Sequence, residues 1–186
     1  LGQGGTITFG TTGSNYSSTL SFVGSGSTAT NRAFSLRYRD NSSSLIFTNN
    51  STGNGDLTFS NTAAVAMLNN NSTADGSGNS TGLLTFNGSS TGVTTFAGLL
   101  QNNPLDSKDI LRIAKSGSGT LLLSNVNTYT GGTTIASGGT VRATDSSALG
   151  SGAVTVASGG ALALDGGISV ANALSLAGTG VGATGA

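Results

Sequence analysis

Cysteine, histidine, tryptophan and glutamate are absent from the 186 residues, and there is a single proline, Pro104. Without cysteine there is neither a disulfide framework nor a thiolate metal site. Without histidine or cysteine, the usual nucleophile–base triads lack their base or their nucleophile. Charge is scarce as well. Seven basic residues balance seven acidic ones, all aspartate, and together they make up 8% of the chain. Neutrality at that density excludes the basic footprint of a nucleic-acid binder or a polybasic membrane binder. No apolar run approaches the roughly 20 residues that span a bilayer as a helix, so no membrane insertion is expected. Leu1 opens directly onto GQGGTITF with no signal-peptide core, so a secreted protein is expected to be represented here by a mature segment.

Glycine is plentiful, at 31 residues, amid dense serine, threonine and asparagine. Such a composition is compatible with disorder. The placement of the apolar residues argues otherwise. Ile7-Thr8-Phe9, Leu20-Ser21-Phe22, Phe34-Ser35-Leu36, Leu57-Thr58-Phe59 and Leu84-Thr85-Phe86 repeat one phrase, and Val93-Thr94-Thr95-Phe96 stretches it by one residue. Period-two alternation puts the outer residues of each triplet on one face and the hydroxyl on the other, as in a half-buried strand. Leu45–Phe47 and Val65–Leu68 are more continuously apolar and read as strands buried on both faces. Asn69–Thr81 and Gln101–Lys108 read as exposed loops. From residue 110 onward short strands are expected at ILRIA, TLLLS, TTIA, TVRA, AVTVA, ALAL, ISVA and ALSLA. Glycine pairs at 131–132, 138–139, 159–160 and 166–167 are expected to supply positive φ at the corners. The chain thus reads as one segment, irregular over 1–109 and regular over 110–186.

The regular part repeats. TIASGGTV at Thr134–Val141 returns as TVASGGAL at Thr155–Leu162, an offset of 21 residues. Periods of that size mark solenoids, in which a short rung cannot bury its apolar face alone and stacks on its neighbours. The fold class expected is all-β, a right-handed parallel β-helix of about eight or nine rungs. An antiparallel sandwich or barrel is the alternative.

The phrase beginning at Lys115, KSGSGTLLLSNVNTYTGGTTIASGGTV, closely resembles the autotransporter-associated β-strand repeat, whose core is approximately KxGxGTLxLSGxNTYTGGTTIxxGTL. The matching positions are Lys115, Gly117, Gly119, Thr120, Leu121, Leu123, Ser124, Asn127, Thr128, Tyr129, Thr130, Gly131, Gly132, Thr133, Thr134 and Ile135. Asn125 and Val126 stand where the family has its glycine. The resemblance is strong over about 70 residues and stylistic over the first hundred. It implies a secreted passenger segment of a bacterial surface protein, built as a parallel β-helix, with the motif residues in structural roles.

No constellation in the sequence demands catalysis, and no cofactor or metal site is expected. Asp106 and Asp109 flank Lys108 beside Pro104 and read as a solvated loop rather than an acid/base pair. Asp75-Gly76-Ser77-Gly78-Asn79 faintly resembles a calcium-binding nonapeptide but occurs only once. Arg32, Arg37, Arg39 and Asp40 form the densest charge cluster and read as surface pairing. Tyr16 and Tyr38 are candidates to stack on sugars, whereas Tyr129 belongs to the turn phrase.

Sequons occur at Asn15, Asn41, Asn49, Asn50, Asn70, Asn71, Asn79 and Asn87 and mark possible glycosylation, as does the Ser/Thr-rich surface. Both ends lack a polar capping rung. The segment is therefore expected to stack end to end on copies of itself or on adjoining repeats, with Leu1, Ile7 and Phe9 meeting Leu174, Leu176 and Ala186. The function expected is that of a non-enzymatic extracellular structural rod. An adhesin or carbohydrate-binding module is the alternative, and a catalytic β-helix ranks third.

Overall fold

The structure, a computed structural model, describes residues 5–9, 17–38, 44–69 and 81–177. Among them are strands and no helix. In chain order the strands are β1 (Ile7–Phe9), β2 (Ser17–Phe22), β3 (Thr28–Thr30), β4 (Phe34–Tyr38), β5 (Ser44–Asn49), β6 (Leu57–Phe59), β7 (Ala64–Asn69), β8 (Thr81–Asn87) and β9 (Val93–Phe96). They continue as β10 (Leu99–Gln101), β11 (Ile110–Lys115), β12 (Thr120–Leu123), β13 (Thr133–Ile135), β14 (Thr140–Ala143), β15 (Val154–Val156), β16 (Ala161–Leu164) and β17 (Leu174–Leu176).

Three sheets hold them. The first runs β1-β4-β7-β10, the second β2-β5-β8-β11-β13-β15-β17, and the third β3-β6-β9-β12-β14-β16. Every pairing between these strands is parallel. That excludes the antiparallel sandwich or barrel.

The chain visits the sheets in rotation until β10, the last strand of the first sheet, and then alternates between the other two. Paired positions are 27 to 39 residues apart in the early circuits, as for Ser17 with Ser44 and Thr48 with Asn87. Beyond β11 the separation falls to 20 or 21. The recurrence read from the sequence is this register, since Thr134 pairs with Thr155 and Val141 with Leu162. The longest sheet has seven strands among the described residues, fewer than the eight or nine levels expected. Long early circuits consume the difference.

Alternation decides what lies inside. β6 and β12 bury Leu57, Phe59, Leu121 and Leu123 and turn their intervening residues outward. Stacked in register, the inward residues form columns such as Leu57–Thr94–Leu121–Val141–Leu162. Phenylalanines gather in the core of the three-sheet part. Phe47 lies 4.8 Å from Phe59, 5.2 Å from Phe34, 5.5 Å from Phe86 and 6.0 Å from Phe9 and Phe96, between ring centroids. In the two-sheet part the buried side chains are mostly aliphatic, Leu121, Ile135, Val141, Ala143, Val154 and Val156 among them. Each of these valines, leucines, isoleucines and phenylalanines contributes roughly 1.5–3 kcal/mol when buried.

Several local expectations change. In the stretched phrase Thr94 is buried and Val93 only half so, because the extra residue shifts the face. Ile46 is half-buried, so β5 is buried on one face and not on both. β3 and β10 are strands not foreseen, while Ile168–Val170 forms none. Asn69 and Thr81 end and begin strands rather than belonging to a loop, and residues 70–80 between them lie outside those described. Of the glycine pairs, Gly132, Gly138, Gly159, Gly166 and Gly167 have positive φ, whereas Gly131, Gly139 and Gly160 do not.

Two of the turn glycines separate backbone strain from crowding. Gly117 has φ +66°, and a Cβ there would meet the Gly88 carbonyl oxygen at 2.4 Å. That oxygen accepts the Ser118 N–H at 2.9 Å, holding two circuits together. Gly166, with φ +73°, has nothing within 4 Å of such a Cβ. Gly166→Ala is expected to cost about 1–2 kcal/mol from the left-handed backbone alone. Gly117→Ala adds a collision with backbone and is expected to cost at least about 3 kcal/mol in urea denaturation.

Candidate functional site

The stretch that carries the family resemblance lies where the first sheet ends. β11, with Ile113 and Lys115 facing inward, enters it. Lys115 sits in the core column between Phe86 and Ile135 and is only 3% exposed. Gly117 and Gly119, at φ 66° and 75°, curl the following turn around its ammonium. Nζ donates to the carbonyls of Ser116, Gly117 and Ser118 at 2.8, 3.1 and 2.7 Å. A lysine inside an apolar stack is tolerable because those three oxygens receive its three protons.

β12 follows, with Thr120 half-buried and Leu121 and Leu123 in the core at 0% exposure. The next residues replace a strand. Asn127, buried, accepts the Leu100 N–H of the preceding circuit at 2.8 Å and donates to the Ala148 carbonyl of the following one at 2.7 Å. Thr128 N–H donates to the Leu100 carbonyl at 2.9 Å. One side chain and a short backbone contact thus do for β10 what a further strand would have done, and the circuit shortens to 20 residues.

Tyr129 is fully buried, and its hydroxyl lies 2.6 Å from Thr133 Oγ1. That partner explains why Thr133 occupies an inward position between Ile113 and Val154. Gly131 and Gly132 leave room where a Cβ would stand 2.4 Å from the Leu111 oxygen and 2.6 Å from the Ala153 oxygen.

Burial acts on both titratable groups. It lowers the Lys115 pKa from 10.5 to about 8. It raises the Tyr129 phenol above its ordinary 10.0, with the Thr133 hydrogen bond working in the other direction. Between pH 8 and 10.5 the unfolded chain holds the lysine proton that the folded chain has released, so stability rises with pH there. The rise is expected to be about 2–3 kcal/mol. Above pH 10 the unfolded tyrosine ionises while the buried one stays protonated, so stability then falls. Urea midpoints measured across this range are expected to peak near pH 10. Lys115→Met should flatten the rise and Tyr129→Phe the fall.

The other candidates are scattered. Asp109 is 1% exposed and accepts from Asn103 Nδ2 at 2.9 Å, so the solvated loop expected around it is corrected. The loop folds onto itself, with Asn103 N–H donating to the Asp109 carbonyl and Asp109 N–H to that of Asp106. The Asp106 carboxylate is occupied by the Lys108 N–H at 3.0 Å. Arg32 donates from Nε to the Gly5 carbonyl at 2.8 Å. Arg39, Asp40, Tyr16, Asp75, Asn79, Asn15, Asn41, Asn70, Asn71, Leu1 and Ala186 lie outside the described residues, as do the side chains of Arg37 and Tyr38.

Among the sequons, Asn49 is 4% exposed. The Asn50 Oδ1 accepts the Ser89 N–H at 3.1 Å, and the Asn87 Oδ1 accepts from Thr48 Oγ1 at 2.6 Å. Ile7 and Phe9 pack partly against the core, and Leu174 and Leu176 are about half exposed. An ion pair that the sequence reading did not single out joins Arg142 and Asp165 on neighbouring circuits. The 21-residue offset alone points elsewhere, since it sets Arg142 opposite Ala163, and Asp165 lies two residues further on.

No curated protein and no solved structure matches the chain. Residues 113–143, which supply the inward lysine, the bridging asparagine and the buried tyrosine, match the model of the passenger-associated-transport-repeat family.

Proposed function

We propose that the chain is a right-handed parallel β-helix that serves as a non-enzymatic structural rod in the secreted passenger of a surface protein. The observation that carries this reading is the matched register. Residues 20 or 21 apart pair in parallel through three successive circuits, and the family repeat spans the first of them. In such an arrangement backbone groups pair up and down the stack, and stability sums over neighbouring circuits. The right hand follows from the twist of strands joined by parallel crossovers.

The chemistry present supports a mechanical role. The polar side chains that are buried here are engaged with the fold itself, Lys115 with its own turn and Asn127 with both neighbours. The adhesin alternative calls for aromatic rings displayed on one face. Tyr129 is buried, as are Phe34, Phe47, Phe59, Phe86 and Phe96. An extracellular position is tested by labelling intact source cells with an antibody raised against residues 113–143. Labelling without lysis, abolished by external protease, is the expected result. Labelling only after lysis would overturn the reading.

A further inference from the structure

Four dipeptides in the chain set a glycine directly after an asparagine or aspartate: Asn54-Gly55, Asp75-Gly76, Asn87-Gly88 and Asp165-Gly166. In such a pair no side chain on the second residue hinders its nitrogen from reaching the first residue's Cγ and closing a succinimide ring. Asp75-Gly76 lies outside the described residues. The fold separates the other three. A Cβ on Gly55 would meet the Gly26 oxygen at 2.3 Å, and the Gly55 carbonyl accepts from Asn49 Nδ2 at 3.0 Å and Ser51 Oγ at 2.9 Å. A Cβ on Gly88 would meet the Asn49 oxygen at 2.0 Å, and the Gly88 carbonyl accepts the Ser118 N–H at 2.9 Å. Both glycines are wedged between circuits, which blocks the backbone rotation that ring closure needs.

Asp165-Gly166 is held differently. A Cβ on Gly166 or Gly167 would meet nothing within 4 Å, and both residues are exposed in the turn that leaves β16. The Gly166 N–H donates to the Asp165 carboxylate, so the attacking nitrogen already lies against the group whose carbon it must reach. Arg142, on the preceding circuit, grips the same carboxylate. Its Nε and Nη2 both donate to Oδ2, the former at 3.1 Å. Among the described residues it is the charged group that acts on Asp165, and its hydrogen bonds, then its charge, hold the carboxyl below the ordinary range.

We propose that Asp165-Gly166 is a site of aspartyl isomerisation in the folded protein, and that Arg142 restrains the reaction. The reacting form is the protonated carboxyl. The Gly166 nitrogen attacks Cγ and gives up its proton, the Cγ–OH bond breaks, and water leaves as the succinimide closes. Water then adds to either ring carbonyl. Cleavage of the Cγ–N bond restores aspartate. Cleavage between the Asp165 main-chain carbon and the Gly166 nitrogen gives isoaspartate, with the chain running through Cβ and Cγ. The mass returns to its starting value, and the connection from β16 to β17 is longer by a methylene. Arg142 slows the step by keeping the carboxyl ionised. The pair is exposed, its side chains at 49% and 44%, so salt weakens the restraint.

The test incubates the full chain at about pH 5 in low salt, where the protonated carboxyl is a measurable minority. Isoaspartate is located by peptide chromatography and by mass spectrometry with electron-transfer fragmentation. It is expected at residue 165, while Asn54 and Asn87 remain amides over the same period. Arg142→Gln is expected to speed its appearance at least about threefold. Salt at about 1 M is expected to move the parent chain toward the rate of that variant. The salt arm uses the parent chain itself, so it stands whether or not the substitution perturbs the fold. Equal rates in the parent and Arg142→Gln, together with no response to salt, would overturn the proposal. So would deamidation at Asn54 or Asn87 that outruns isomerisation at Asp165, because the wedged glycines would then offer no protection.

Discussion

Replacing Phe47 with alanine is expected to destabilise the fold by about 3–5 kcal/mol, seen as a large fall in the urea midpoint. Phe47 is 2% exposed and has five phenylalanine rings within 6.0 Å, drawn from five other strands on all three sheets. Edge and tilted ring contacts of this kind add to what area burial alone contributes. The cavity left by the ring cannot close easily, because its walls belong to strands whose spacing is fixed by the parallel ladders. Leu83→Ala, at a position 37% exposed on the outward face of β8, is expected to cost about 1 kcal/mol or less. Comparable losses at both sites would mean that the interior has been wrongly placed.

Asn127→Leu is the second large effect. Leucine fits the volume and removes the hydrogen bonding. The Leu100 N–H and the Ala148 carbonyl then lose their partners, from circuits on opposite sides of residue 127. Each buried orphan costs about 1–3 kcal/mol, so a loss of roughly 2–5 kcal/mol is expected. Asn127→Asp separates the two bonds, since the carboxylate still accepts from Leu100 but no longer donates to Ala148. Amide exchange should distinguish the variants. Leu100 N–H is expected to lose protection in Asn127→Leu and to keep it in Asn127→Asp.

Much of the architecture was legible in the sequence because it rests on alternation. The triplets at Ile7–Phe9, Leu57–Phe59 and Leu84–Phe86 lie within β1, β6 and β8, with their apolar residues facing the interior. The 21-residue recurrence returned as the register of β13 on β15 and β14 on β16. β3 and β10 escaped notice for opposite reasons. Thr28-Ala29-Thr30 has no large apolar residue, and Leu99-Leu100 places two side by side. ISVA has the right pattern, but it follows two positive-φ glycines on the side of the circuit where no sheet continues.

The first sheet itself was invisible, because strands from four separated stretches meet there only once the register is known. For the repeat stretch, the sequence marked which residues belong to it but not what they touch. Lys115 shares the parity of Ile113 and so points inward, against the usual placement of lysine. The turn that rewards this, with three carbonyls converging on one ammonium, depends on two positive-φ glycines acting together.

The stacked register is the claim on which everything else depends, and one outward column tests it. Thr19, Ile46, Thr85, Ala114, Thr134, Thr155 and Ser175 are successive partners across the second sheet. The chain has no native cysteine, so paired spin labels can be placed at will. With one label fixed at Ser175 and the other moved from Thr85 to Ile46 to Thr19, stacked parallel strands give separations of about 19, 24 and 29 Å, one strand spacing more at each step. Separations that fail to grow in that order, or that bring Thr19 as close to Ser175 as Thr85 is, would contradict the stack.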